Sequence, residues 1–262
     1  MKTITKPLIL VTNDDGLHAK GMAACIEVAR EFGDVVVVTT YESQSGMSHA
    51  ITIKTPLRIR KIREEDGLSV YLTNGTPVDC IKLSINTLLE RKPDLVLSGI
   101  NHGSNSSISL IYSGTLGGAV EACFYGIPAV GLSVDSFSPD ADFTAAVHYG
   151  KQIVRKVMEN GLPEHTCLNV NLPDLAIDKI RGVRICRQTK GAWKEEFEKR
   201  TDPHDADYYW LTGSFENFEP DAEDTDIWAM NNGYVAVVPI QIDMTHYSLM
   251  NKMKNWKFDG QV

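Results

Sequence analysis

The strongest constraint on the fold is a rhythm near the N-terminus. Two short apolar runs, LILVT at 8–12 and VVVVT at 35–39, flank a segment in which Met22, Cys25, Ile26, Ala29 and Phe32 recur at helical spacing before Gly33. A strand, helix, strand order with short links predicts a right-handed crossover and parallel pairing. The period then changes: between positions 51 and 72 apolar residues recur every second place (Ile51, Ile53; Leu57, Ile59; Val70, Leu72), with Gly67 as a turn, so a small β excursion interrupts the pattern.

The α/β rhythm returns at GTPVDC. Thr76 suits an N-cap, Pro77 the first helical position, and Asp79 completes a capping box for a helix reaching residue 89. A strand at 95–98, a Gly- and Asn-rich loop, a helix over about 115–125 closed by Gly126 and Pro128, and a strand at 129–133 follow. The segment FTAAVHYGKQIVRKVMENG is an amphipathic helix with Gly161 as its C-cap. To about residue 171 the chain therefore has the pattern of an α/β fold, a doubly wound, mostly parallel sheet between helical layers (αβα). Beyond Arg187 aromatic and acidic residues crowd together before a final strand at 234–239. No Pro/Gly/Ser linker separates this region, so residues 1–262 are expected to form one domain. Its core spans about 7–187, and its elaboration, about 188–262, carries a projecting hairpin suited to subunit contacts.

The net charge of −8 argues against a broad DNA-binding or anionic-membrane surface, each of which needs a concentrated basic patch. The one basic run, LRIRKIR at 57–63, alternates cations with apolar residues as a solvated strand face does. Five widely spaced cysteines with no C-x-x-C suit buried apolar positions in a reducing compartment. With no signal-like stretch and no run long enough to span a membrane, the cytoplasm is the expected location.

In an open parallel sheet, ligands bind beyond the carboxyl ends of the strands, near the point where strand order reverses. The first strand ends at TNDDG. Adjacent strand residues point to opposite faces, so Asp14 and Asp15 converge only where the backbone bends, and Gly16 permits that bend. Convergent carboxylates need a proton or a cation, and a divalent metal satisfies both. A turn whose aspartate caps the next helix is the competing reading of Asp-Asp-Gly. The loops after two other strands, ESQSGMSHA and GINHGSNSS, supply neutral oxygen donors such as Ser45 and Asn101, which suit Mg²⁺ or Mn²⁺. Zinc fits poorly, because the histidines show no ligand spacing; only His18 and His102 flank the suspected site. In IYSGTLGGAVEA, Ser113, Gly114 and Thr115 stand where a helix begins, and its free amides, its dipole and two hydroxyls form an anion pocket. A metal beside an anion pocket is the equipment of phosphoryl chemistry.

TNDDG, QSGMS, NGTPVDC, SGINHGSN, YSGT and GIPAVGLS, followed by NVNLP, the Tyr209-Trp210 pair, DTD at 224–226 and GYVAVVPIQIDMT, together resemble the SurE family of stationary-phase survival proteins, from about residue 9 to 245. The resemblance implies a Rossmann-like core with a β-rich C-terminal extension, assembled as a homodimer or homotetramer through C-terminal elements. It also implies a metal-dependent 5′-nucleotidase that hydrolyses nucleoside 5′-monophosphates, and 3′-monophosphates as a further substrate, to nucleoside and phosphate. Asp14, Asp15, Ser45 and Asn101 match its ligands for one Mg²⁺ or Mn²⁺, with Asp14 and Asp15 also catalytic. Asn13, Ser113, Gly114 and Thr115 fall on the substrate side. Two loops depart from the family pattern: Tyr41, Glu42, Ser43 and Gln44 replace an Asp-Arg pair and a further basic residue, and SSISL at 106–110 replaces a glycine and acids. Both changes bear on substrate preference rather than reaction type.

Two other readings use the same acids. A phosphoaspartate-type phosphatase of other small phosphomonoesters would make Asp14 a nucleophile, but it uses an Asp-x-Asp arrangement and here the acids are adjacent. A Mg²⁺-binding receiver-like module needs an aspartate at a central strand end and a late lysine. Here that strand end reads Ser98, Gly99, Ile100, Asn101.

Overall fold

The computed structural model describes residues 6–256 and 258. Its opening unit is β1 (Leu8–Thr12), α1 (Lys20–Arg30) and β2 (Asp34–Thr40), with the two strands parallel. A hairpin of β3 (Ile59–Glu65) and β4 (Leu68–Thr73) follows, then α2 (Pro77–Leu83), β5 (Leu95–His102), α3 (Gly114–Phe124), β6 (Ala129–Val134), α4 (Thr144–Asn160) and β7 (Thr166–Leu172). The chain continues through β8 (Val183–Ile185), the hairpin β9 (Gly191–Thr201) and β10 (Asp207–Asn217), α5 (Asp226–Asn231), β11 (Val235–Gln241) and α6 (Tyr247–Met253).

Nine strands form one mostly parallel sheet in the order β3-β4-β2-β1-β5-β6-β7-β11-β8. Met22 and Val28 of α1 pack with Ile153 and Val154 of α4 on one face of it, and Cys80 and Ile81 of α2 with Ala119 and Ala122 of α3 on the other, giving three layers. From β1 the chain builds to one side through β2 and β4, then resumes on the other side at β5. The strand order therefore reverses between β1 and β5, and their carboxyl ends open the crevice in which such folds bind ligands.

Several elements follow from local chemistry. Thr76 accepts from the Asp79 amide while the Asp79 carboxylate accepts from the Thr76 amide, the capping box expected at α2, and Gly161 ends α4 with φ +70°. Other expectations change. The helix expected to reach residue 89 is α-helical only to Leu83 and widens to a π-turn over Ser84–Leu88. There the hydroxyls of Ser84 and Thr87 each donate 2.6 Å bonds to the carbonyl four residues back, competing with the regular ladder. The β excursion is not separate, because β4 pairs parallel to β2 and buries Leu68 and Val70 against the main sheet. Ile51 and Ile53, whose alternation suggested a strand, lie in an exposed loop tied by the Thr52 amide to the Asp79 carboxylate. The final strand, β11, enters the main sheet between β7 and β8, so the sheet draws one inner strand from beyond residue 187.

The β9–β10 hairpin forms its own two-stranded sheet, with Phe197, Trp210 and Leu211 exposed. All five cysteines are buried with free thiols. Among the described residues no helix is long and apolar enough to cross a membrane.

Candidate functional site

At the carboxyl end of β1 the backbone turns through Gly16, whose φ of +87° lies in the left-handed region that glycine adopts without a Cβ penalty. Asn13, fully buried, holds the turn: its Nδ2 donates to Gly16 O at 3.0 Å, and its Oδ1 accepts from the Thr39 hydroxyl on β2. The turn brings both acids to the β1/β5 crevice. Asp14 is 3% exposed, and its Oδ1 accepts from Thr115 Oγ1 at 2.5 Å. Burial raises its pKa from 3.8 to about 6; the Thr115 hydroxyl and amide oppose the shift, and the charge of Asp15 adds to it. Asp15 is also raised, again by burial, with the His102 amide donating to its Oδ2 at 3.3 Å and opposing the shift.

The loop after β2 is fastened to the same turn by the Gln44 amide, which donates to Asp14 O at 2.7 Å. Ser48 reaches α3's approach through its amide and hydroxyl, bonded to Tyr112 O and Ile111 O. Ser45 is thereby set at the crevice, its Oγ 2.9 Å from Ser43 Oγ. Asn101, near the end of β5, donates from Nδ2 to Gly103 O at 2.8 Å, which orients the amide and leaves Oδ1 as its acceptor. Asp14, Asp15, Ser45, Asn101 and Ser113 are among the residues lining a cavity of about 800 Å³, a size typical of small-molecule sites.

The other expected residues, Asn13, Gly114 and Thr115, are not on that wall. Thr115 is fully buried, and both its hydroxyl and its amide are directed at Asp14. The start of α3 therefore holds a carboxylate of the chain itself. Ser113 is the N-cap, its Oγ accepting from the Leu116 amide at 3.0 Å, and it reaches the cavity. Gly114 closes on Asp14 so tightly that a Cβ there would lie 2.8 Å from Asp14 Oδ2. Gly114→Ala should therefore displace the carboxylate and lower kcat/KM about 10- to 100-fold with little loss of fold, checked by steady-state kinetics beside a melting curve. His102 lines the cavity and packs edge-on to Phe143, ring centroids 5.0 Å apart, whereas His18 is exposed and is not on the cavity wall.

Two carboxylates, a hydroxyl and an amide oxygen form an all-oxygen donor set, and a cation between the acids would relieve the burial and repulsion that raise both pKa values. This donor set fits a hard divalent cation.

Asp226 was not singled out from the sequence. It is fully buried at the start of α5, and its Oδ2 accepts from the Ser107 amide at 2.8 Å. Its Oδ1 accepts from the Thr189 amide and hydroxyl and from the Ile227 amide. It thus ties the loop after Asn101 to the base of the β9–β10 hairpin. The DTD stretch was visible, but nothing local shows that its last acid reaches donors 37 and 119 residues away. Asp226→Asn, which loses the charge and half the acceptor capacity, should cost about 1–3 kcal/mol in a denaturant titration.

The sequence model described as "Survival protein SurE" matches residues 9–195. The chain is 49% identical over 254 residues to the 5′-nucleotidase SurE of Phocaeicola vulgatus, covering 97% of this chain and 98% of that one. It is 51% identical over 256 residues to the 5′-nucleotidase SurE of Flavobacterium johnsoniae, with the same shares covered. The crystal structure of the SurE protein from Aquifex aeolicus superposes with a TM-score of 0.82 at 40% identity, over 95% of this chain and 98% of that one. With a matching family model over most of its length and close relatives over nearly all of it, the chain belongs to the SurE family.

Proposed function

We propose that this protein is a metal-dependent 5′-nucleotidase that hydrolyses nucleoside 5′-monophosphates to nucleoside and phosphate. The observation that carries the reading is the convergence of Asp14, Asp15, Ser45 and Asn101 on one cavity at the sheet's switch point. These four residues would hold one Mg²⁺ or Mn²⁺. Bound there, the cation supplies Lewis acidity toward a phosphate oxygen and makes water a stronger acid. Ser113 sets the phosphate at the positive end of α3, where the helix dipole favours the charge of the transition state. Thr115 and Asn13 act from behind, one holding Asp14 and the other keeping the turn closed. Asp15, the more open carboxylate, is the better placed to accept the proton of the attacking water.

The exposed apolar residues of the β9–β10 hairpin support assembly as a homodimer or homotetramer through the C-terminal region. The net charge of −8 supports a small-molecule rather than a DNA partner, and the free thiols support a cytoplasmic setting. One unit from 1 to 262 accords with β11 returning into the main sheet.

The test is phosphate release from all 5′- and 3′-nucleoside monophosphates, polyphosphate and a generic aryl phosphate, with Mg²⁺, Mn²⁺ or chelator. Release from 5′-monophosphates that requires metal is expected. Release undiminished by chelator, or none from any nucleotide with metal present, would overturn the proposal.

A further inference from the structure

Of the four candidate metal ligands, three are placed by the sheet. Asp14 and Asp15 follow β1 directly, and Asn101 belongs to β5. Ser45 is different: it is exposed, and it lies in residues 41–58, a connection with no strand or helix of its own. A neutral hydroxyl is a weaker ligand than a carboxylate, so its use to a cation depends on how firmly this loop is held.

The loop is fastened on both sides of Ser45. Residues 44–47 form a tight turn, the Met47 amide donating to Gln44 O at 3.3 Å with Gly46 at φ +76°. Ser48 follows at φ +57°, a conformation that a side chain disfavours and that the surroundings must impose. Its backbone rests on α3, where a Cβ at Gly117 would come within 2.6 Å of Ser48 O. Further on, Ala50 O accepts from Thr76 Oγ1 at 2.7 Å and the Thr52 amide donates to the Asp79 carboxylate, both at the start of α2.

Between these ties stands one of another kind. His49 Nε2 lies 2.8 Å from Glu121 Oε2, and the imidazole meets Phe124 edge-on at 5.7 Å between centroids, so it is seated on side chains of α3. Glu121 is 4% exposed, and its Oε1 accepts from Lys82 Nζ of α2 at 2.9 Å. Burial pushes its pKa up, but the bonds from His49 and Lys82 outweigh burial and hold the carboxyl below its ordinary value. A buried charged cluster is a weak source of net stability, whereas it can define a single geometry. What it defines here is the seat of the loop, four residues past Ser45, on the helix that Ser113 caps.

We infer that Glu121 and His49 are positioning residues for the metal site: the carboxylate, bonded to the imidazole, locks the 41–58 loop onto α3 and so keeps the Ser45 hydroxyl at the cation, in register with Ser113. The inference rests on the reading of Asp14, Asp15, Ser45 and Asn101 as a metal centre. One helix then sets both the phosphate-side hydroxyl and the ligand that the sheet does not place. Loss of the lock should therefore weaken metal binding more than it weakens the fold.

The test reads metal binding and loop order apart from turnover, by Mn²⁺ titration followed through the electron paramagnetic resonance of the free ion and by hydrogen exchange in chelator. His49 is half-buried, so its variants should fold. His49→Ala should weaken Mn²⁺ binding about 10-fold and speed amide exchange over 45–52. Its kcat for AMP at saturating Mn²⁺ should stay within about threefold of the parent value. His49→Gln, whose amide can donate to the same carboxylate oxygen, should restore the affinity. Adding Glu121→Ala to His49→Ala should bring no further loss, and His49→Ala should cost nothing more in a Ser45→Ala background. A lower melting temperature with unchanged Mn²⁺ affinity, a Gln variant as weak as Ala, or a full His49→Ala effect in Ser45→Ala would overturn the inference. Mn²⁺ binding that depends on His49, in a protein that hydrolyses no nucleoside monophosphate, would instead sink the nucleotidase reading and leave the positioning role standing. Metal-dependent hydrolysis with an affinity indifferent to His49 would do the reverse, and a parent that binds no Mn²⁺ would end both.

Discussion

Asp14→Asn is expected to lose roughly a thousandfold or more of its metal-dependent turnover, while its metal-free form is more stable than the parent above pH 6. The two effects share one cause. Asp14 is 3% exposed and beside Asp15, and its carboxyl is raised from 3.8 to about 6, so at neutral pH the metal-free fold carries a charge its surroundings resist. That shift corresponds to about 3 kcal/mol of lost stability. Asparagine keeps the shape, and its Oδ1 still accepts from Thr115 Oγ1, but it has no charge to desolvate and none to offer a cation. Kinetics with Mn²⁺ and melting in chelator check both halves. Wild-type turnover would remove Asp14 from the metal site. Lost turnover with lost metal-free stability would make it an ordinary structural residue.

What the sequence disclosed and what it hid divide along physical lines. The β1–α1–β2 unit, the Thr76 capping box and the Gly161 C-cap were legible because their causes are local: a periodicity, a side chain bonding an amide three residues on, a residue without a Cβ. The return of β11 into the main sheet and the reach of Asp226 to Ser107 were not, because strand order and long-range donors are decided by packing between distant segments. At the site, the rule that ligands gather at strand ends pointed to Asp14, Asp15, Ser45 and Asn101 together, and the structure sets all four on one cavity. It could not divide labour within Ser113-Gly114-Thr115. A hydroxyl that binds phosphate and one that bonds a neighbouring carboxylate are the same residue in sequence, and here the Thr115 hydroxyl turns to Asp14.

Saturating Mg²⁺ or Mn²⁺ should raise the melting temperature at pH 7.5 and do so much less at pH 5. The folded state holds the Asp14 proton up to about pH 6, whereas the unfolded chain releases it near 3.8. Between those values the folded state binds more protons. The metal-free fold therefore has its full stability from this group below pH 3.8 and loses it as pH rises through 6. Asp15, also raised by burial, acts in the same direction. A cation occupying the site takes the place of the proton, so its affinity should climb up to tenfold per pH unit toward 6 and level off above it. At a metal concentration of 100 Kd the gain is about 2.7 kcal/mol, or roughly 5–10 °C for a chain of this size. At pH 5 proton competition lowers the affinity about tenfold, near 1.4 kcal/mol, and in Asp14→Asn the gain should nearly vanish at both pH values. Calorimetric scans of parent and variant, each with chelator, Mg²⁺ and Mn²⁺, separate the cases. A parent indifferent to both ions at pH 7.5, or one stabilised as strongly at pH 5, would mean that the paired carboxylates are not neutralised by a metal.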